Sequence, residues 1–464
     1  MIETKDISLE SFISKIITKN DRTDEQTLIS WTEKLNKVNL LSVFQNALQT
    51  NKQRLYWKNS ANTFEFVGIG SVHTIIAEDV MYDMLKKEWQ QLLEKSIIHD
   101  PFQHPGTGLT AIGGMTFDPL IKQTKLWENF PESQLTIPEL FIVRSNHDYF
   151  ITVNKYVSNK SEIDKVIKEI ELLKSTVFHS DNSKVTQHKI NYKLEIEPEQ
   201  WKRTVQYAVD TIKQGHARKI VLAREMKLTL NREANIASLL EKLNNTQENS
   251  YVFAFENGDD CFIGATPERL VQINGDKLLS TCLAGTAPRG RKVEEDEKIG
   301  QTLLNDEKNR EEHDYVVKMI HEGITHYCED IHIPKEPILY PLKNLQHLYT
   351  PVSATLKSTN SVFDIIQSLH PTPALGGVPK EKSLAFIREH EQLDRGWYGA
   401  PIGWLDSNDN SEFVVAIRSG LIKGKDVSLF AGCGVMKDSD PQMEYEETNI
   451  KFLPMLRVLE DHDE

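Results

Sequence analysis

Lys219-Ile220-Val221-Leu222-Ala223-Arg224 is the stretch on which the fold turns. It is apolar between its charged ends, carries β-branched Ile and Val, and reads as a strand. Just before it, residues 197–215 read as an amphipathic helix that turns Trp201, Val205, Ala208, Val209 and Ile212 inward and stops at Gly215. Strands recur at residues 251–255, 270–273, 278–283, 412–417 and 427–430, with long helices interspersed. That order implies an α+β protein with large, mostly antiparallel sheets.

Upstream the texture is looser. Residues 1 to about 50 read as helical and polar, and Tyr56-Trp57 with residues 64–70 alternate like strands. Residues 74–96 read as a helix, 113–118 as a strand start, 140–144 as a strand and 161–175 as a polar helix. The hydrophilic segment 180–188 is the best surface linker. The chain is therefore divided into an amino-terminal part, 1–190, packed into the same globular unit as a core, 191–464.

With 464 residues, 39% of them hydrophobic and 26% charged, the chain can bury a large core and has an ordinary globular composition. A net charge of −14 argues against nucleic-acid and membrane-surface roles, which need a basic face. An anionic substrate would need cations gathered locally. Met1 to Asp6 lack the order of a signal peptide, and no apolar run approaches the ~20 residues that span a bilayer. Cys261, Cys282, Cys328 and Cys433 form no CxxC pair, so neither zinc nor a disulfide framework is indicated. A cytoplasmic enzyme is expected.

Two helical stretches carry the acids that matter. In residues 438–451, Asp440 suits an N-cap and Pro441 the first helical position, so Glu444, Glu447 and Lys451 share one face. Such a stripe is equally a solvated surface. In a second helix, from Asn305 to about Cys328, Val316, Met319 and Ile320 follow Glu312 at core-facing offsets, which sets that carboxylate along the apolar side. A buried carboxylate needs a partner, either an Arg or Lys or a shared hard cation. Mg²⁺ takes one or two protein carboxylates and leaves its other positions to water and an anionic substrate. Glu312 and Glu447 are read as such a split site.

Lys219 opens its strand on the face of Val221 and Ala223; a strand-end lysine is ordinarily solvated, but a desolvated one can act as a base. Glu268 follows the turn Gly264-Ala265-Thr266-Pro267 and is either a turn acid without a role or a general acid. A base and an acid on separate strands suit proton transfers on opposite faces of a small ring. Tyr398 and Arg418 are candidates to hold a carboxylate, Arg with its two-pronged fork. His347 is either a core histidine or part of a site. No phosphate-loop or dinucleotide fingerprint is present, and Ala431-Gly432-Cys433-Gly434 signals close approach of backbone to a small ligand.

These residues fall in a series. Lys219-Ile-Val-Leu-Ala-Arg224, Gly264-Ala-Thr-Pro-Glu268, Leu283-Ala-Gly-Thr286, Arg310-Glu-Glu312-His313, Gln346-His347-Leu348, His370-Pro-Thr-Pro-Ala-Leu-Gly-Gly377, Gly396-Trp-Tyr-Gly399, Ala416-Ile-Arg418, Ala431-Gly-Cys-Gly434 and Glu444-Tyr-Glu-Glu447-Thr occur in that order. The set resembles the chorismate-utilising enzymes, and among them the isochorismate synthases. The match runs from about Glu197 to Leu459, with weaker similarity upstream. The resemblance implies sheets packed together with helices outside. It implies Mg²⁺ on Glu312 and Glu447, with Glu444 acting through water, chelating the ring carboxylate of chorismate. Lys219 is implied as the base for a water attacking C2, and Glu268 as the acid for the departing C4 hydroxyl. Tyr398, Arg418 and the backbone at Gly432 and Gly434 are implied to hold the enolpyruvyl carboxylate, with Thr286, His347 and Lys451 lining the remaining pocket.

Within that group, relatives that use ammonia carry glutamine where this chain has Lys219, so water is the expected nucleophile, and no glutamine amidotransferase subunit is expected to be obligatory. Ala284 stands where aminodeoxychorismate synthases carry a nucleophilic lysine. Salicylate synthases share the lysine and glutamate, and a non-catalytic chorismate-binding relative is a further alternative. The residues 370–377 favour an isochorismate synthase, and the long amino-terminal half favours the menaquinone-pathway form over the siderophore-pathway form.

Overall fold

The computed structural model describes residues 8–19, 26–78, 82–158, 160–179, 188–343 and 345–460. The linker expected at 180–188 lies, except for His188, outside them.

A two-residue period sorts the side chains. Along Tyr251–Asn257, Tyr251, Phe253 and Phe255 join one apolar cluster while Val252 and Ala254 join another. Neighbouring strands repeat the division: Leu55, Trp57 and Phe262 lie with Phe253, whereas Tyr56, Cys261 and Ile263 lie with Ala254. The Phe253 cluster also takes in Ile112, Ile402, Trp404 and Val414 from other strands, so it is the filling between two sheets.

One sheet has thirteen strands, in the order Ile190–Glu195, Lys219–Leu230, Asp426–Val435, Ser419–Lys423, Asp260–Thr266, Tyr251–Asn257, Arg54–Lys58, Phe64–Ile69, Leu140–Ser145, Asp148–Val157, Thr27–Leu35 and Ile97–His99, with Gly377–Val378 beside the Lys219 strand. The ten-stranded sheet opposite runs Cys328–His332, Leu345–Leu356, Lys277–Pro288, Arg269–Asn274, Ser411–Val415, Pro401–Asp406, Thr110–Met115, Ser133–Ile137 and His73–Ala77, with Ile338–Pro341 beside the Leu345 strand. Among the described residues, pairing is antiparallel apart from Thr27–Leu35 with Ile97–His99. Helices cover the outer faces. Leu40–Asn46, Ile163–Phe178, Ile236–Thr246 and Pro441–Leu459 pack on the first sheet, and Tyr82–Lys95, Glu307–Thr325 and Val362–Leu369 on the second.

The ladders cross the division at residue 190. Arg54–Lys58 pairs with Tyr251–Asn257, and Thr110–Met115 with Pro401–Asp406. Three local expectations are corrected. Within the supposedly helical first fifty residues, Thr27–Leu35 is a strand buried continuously from Leu28 to Thr32, and burial on both faces erases the alternation that marks a strand. The helix expected from Thr74 begins instead as the strand His73–Ala77, where Ile75 and Ile76 favour extended backbone, and the helix is Tyr82–Lys95. The Glu312 helix spans Glu307–Thr325: Asp306 caps it by accepting from Asn309 N at 2.8 Å, and Cys328 already opens a strand.

Candidate active site

Lys219, Glu268, Thr286, Glu312, His347, Tyr398, Arg418, Gly432, Gly434, Glu444, Glu447 and Lys451 all line one cavity of about 250 Å³. It lies where the Lys219 and Asp426–Val435 strands of the first sheet meet the Lys277–Pro288 and Leu345–Leu356 strands of the second, closed by the helices Glu307–Thr325 and Pro441–Leu459. A hollow of about 500 Å³ beside Lys86, Asp276 and Asn410 is larger and carries the buried Asp406, whereas the former gathers Lys219, Glu268, His347 and Arg418 with the acids of two helices.

Lys219 is 6% exposed, so the solvated reading of this strand-end lysine is overturned. Its ammonium is hydrogen-bonded to the Glu312 carboxylate. The lysine can run along the neighbouring strand because Gly434 lies beside it; a Cβ at 434 would sit 2.5 Å from Lys219 Cε. Ala431 to Val435 pair with the first residues of the Lys219 strand, Val221 opposite Gly434 and Ala223 opposite Gly432.

On its other edge this strand has no strand partner between Ile220 and Met226 among the described residues, because Gly377–Val378 pairs only with Lys219 and Ile220, and Ile190–Glu195 only with Met226 to Leu230. Apart from Glu225 O, which accepts from Ile196 N at 3.4 Å, side chains serve that stretch instead. Ala223 N donates to Glu391 Oε2 at 2.7 Å, Ala223 O accepts from Trp201 Nε1 at 3.1 Å, and Val221 O accepts from Arg395 Nη2 at 2.8 Å. Arg395 forks onto Glu391 at 2.6 and 2.7 Å, so its charge is already neutralised although it lines the cavity.

Glu268 is buried, and burial pushes its carboxyl up to about 7 against the opposing pull of Lys219, Arg418 and Lys451. Its carbonyl accepts from Val415 N at 2.9 Å, which fixes the strand end that presents it. Arg418 adopts a left-handed backbone, φ +53°, a conformation unusual for a bulky residue and often held at functional sites. Its carbonyl accepts from Ala265 N at 3.0 Å. Tyr398 is buried, and desolvation holds its phenol above the usual value.

A bulge at Gly285, φ +78°, sets Thr286 opposite His347. Thr286 Oγ1 lies 3.0 Å from His347 Nδ1, and Thr286 N donates to Asn309 Oδ1 at 3.2 Å. Burial, with Arg418 and Lys451 adding to it, pushes His347 down to about 3, so its ring is neutral. Its Nε2 is buried without a hydrogen-bond partner. His347 is thus both a buried histidine and a wall of the cavity.

The three candidate metal ligands are hard oxygen donors. The apolar stripe of their first helix is His313, Val316, Ile320 and Ile324, and Glu312 stands at its flank rather than within it. Burial raises the Glu312 carboxyl, but Lys219 outweighs that and leaves it lowered. Glu447 pairs with Lys451 at 2.6 Å, and Lys451 also donates to Gly432 O at 2.9 Å. Glu444 Oε2 is buried without a hydrogen-bond partner among the described residues, and the carboxyl is raised chiefly by burial and further by Glu447, against hydrogen bonds from Ser439 and Cys433. Among the described residues no three such side chains gather tightly enough to hold a metal, since two of these carboxylates are turned onto lysines. An orphaned carboxylate oxygen beside two lysine-paired acids is a donor set that fits a divalent cation.

The model of the chorismate binding enzyme family matches residues 12–460. The chain belongs to the chorismate-binding enzymes. An isochorismate synthase MenF of Bacillus subtilis is 38% identical over 99% of each chain. A salicylate biosynthesis isochorismate synthase of Pseudomonas aeruginosa is 31% identical, covering 97% of this chain and 94% of that one. The solved menaquinone-specific isochorismate synthase MenF of Escherichia coli superimposes with a TM-score of 0.80 at 23% identity, over 97% of this chain and 99% of that one, which bears on the fold alone.

This chorismate-binding enzyme also lines its cavity with Lys308, Asn309, Arg395 and Ser439, which sequence reasoning missed. Signals for two of them existed. Lys308 stands four residues before Glu312, hence on the same helical face, and Arg395 directly precedes Gly396-Trp397-Tyr398-Gly399. Among the described residues no helix is long and apolar enough to cross a membrane.

Proposed function

We propose that this chorismate-binding enzyme is a Mg²⁺-dependent isochorismate synthase of the menaquinone pathway, acting without an amidotransferase subunit. The observation that carries the reading is the cavity that holds a buried carboxyl titrating near 7, Glu268, together with Lys219 and the acids Glu312, Glu444 and Glu447. Close relatives named isochorismate synthase over almost their whole length support it.

In its neutral amine form, with its proton given up before the step, Lys219 takes a proton from the water that adds at C2 of chorismate. Glu268 delivers a proton to the C4 hydroxyl, which leaves as water while the ring double bonds shift. One water enters and one departs, so the product is an isomer of the substrate. Arg418 and Tyr398, with the backbone at Gly432 and Gly434, orient the enolpyruvyl carboxylate. Thr286 keeps the neutral His347 ring turned toward the cavity, and Lys451 adds a positive charge to its wall. Glu312 and Glu447 would hold Mg²⁺, with Glu444 acting through water, and when bound it would supply positive charge against the ring carboxylate.

The test is incubation of the lone protein with chorismate and Mg²⁺, without an amine donor, followed by mass analysis of the product. Isochorismate is expected. Salicylate with pyruvate would transfer the reading to a salicylate synthase, and binding without turnover to a non-catalytic relative.

A further inference from the structure

The last helix, Pro441–Leu459, is anchored unevenly. From Phe452 onward it buries Phe452, Met455, Leu456, Val458 and Leu459, but between Pro441 and Lys451 only Thr448 is buried. The half that turns Glu444, Glu447 and Lys451 to the cavity therefore has little apolar grip on the body. Arg224 supplies a polar grip. Its side chain is 2% exposed and rises from the Lys219 strand at the position paired with Ala431. Nε donates to Thr448 Oγ1 at 2.8 Å, and Nη2 donates to Asn449 Oδ1 at 2.5 Å and to the Tyr445 carbonyl at 3.5 Å. Nη1 donates to Glu195 Oε2 at 3.3 Å, and the Tyr445 hydroxyl donates to the same carboxylate. The guanidinium lies 4.1 Å from the centre of the Tyr445 ring and 4.9 Å from that of Phe452. A buried guanidinium needs this many partners, and it spends nearly all of them on one turn of one helix.

We propose that Arg224 is a positioning residue: with Glu195 it fixes the rotation and height of the carboxyl-terminal helix, so that Glu444, Glu447 and Lys451 face the strand bearing Lys219. Arg224 does not line the cavity. It acts through the helix, and only the kinetic consequence rests on the function proposed above.

Arg224→Lys keeps the charge and loses the fork, and Arg224→Met keeps the length and loses both. In each, the backbone amides of residues 442–451 are expected to exchange hydrogen at least ten-fold faster than in the parent, while those of 452–459 other than Pro454 keep their protection. The Mg²⁺ concentration for half-maximal turnover of chorismate is expected to rise at least ten-fold, with Arg224→Lys the milder variant. Unchanged exchange in 442–451 overturns the proposal, as does a uniform loss of protection through 452–459, which would make Arg224 an ordinary stability residue. If Arg224→Met does not fold, Arg224→Lys decides. If the parent does not turn over chorismate, the functional reading has failed, and the exchange pattern still decides the role of Arg224.

Discussion

At the residue level, turnover is expected to rest on Glu268 and Lys219, and burial shifts the titration of Glu268. Glu268 is protonated below about pH 7 in the folded chain, against an ordinary carboxyl value of 4.5. Folding therefore takes up a proton between those limits. The stability it confers is complete below pH 4.5 and is lost as pH rises through 7, a loss of ~3 kcal/mol from the size of the shift. Glu268→Gln stays neutral at every pH, so it should match the parent in thermal stability at pH 5 and exceed it at pH 8, while turnover falls by ~100-fold or more. Melting curves at the two pH values, with rates beside them, check this; equal stability at pH 8 would mean that Glu268 is not held protonated by its surroundings. Lys219→Ala should abolish turnover and still bind chorismate by calorimetry, and near-normal rates would remove the lysine as the base. The sequence exposed these two residues because Lys219 opens an otherwise apolar strand and Glu268 follows Gly264-Ala265-Thr266-Pro267. It did not expose the pairing of Lys219 with Glu312, which joins residues 93 positions apart.

At the level of the element, the last helix was legible from one cap. Asp440 Oδ1 accepts from Gln442 N at 3.0 Å and Met443 N at 2.9 Å, as the Asp-Pro pair predicts. Asp440→Ala should cost ~1 kcal/mol of helix stability. The acids lie in the next turns, so the loss should appear as a several-fold higher Mg²⁺ requirement with melting lowered by at most about 2 °C. A Mg²⁺ titration superimposable on the parent would detach the helix end from the site. The strand Thr27–Leu35 was illegible for the opposite reason. It gains its structure from Asp148–Val157 on one side and Ile97–His99 on the other, partners that no local pattern announces.

At the level of the whole molecule, a chain cut between residues 190 and 191 would lose more than a covering. Tyr251–Asn257 would lose its Arg54–Lys58 neighbour, and Pro401–Asp406 its Thr110–Met115 neighbour, leaving two long apolar edges open. The inter-sheet core would lose Trp57, Phe66, Trp127, Phe130 and Phe141 together. At ~2 kcal/mol for each large side chain buried, that is ~10 kcal/mol, as much as the whole stability of a typical domain. Residues 191–464, although they hold every group lining the cavity, should not fold by themselves. The full chain should unfold in denaturant with coincident fluorescence and circular-dichroism transitions, and the fragment should show no cooperative transition and no near-ultraviolet dichroism. A fragment that unfolds cooperatively would make the carboxyl-terminal part an independent domain, with the amino-terminal strands an addition to it rather than half of its core.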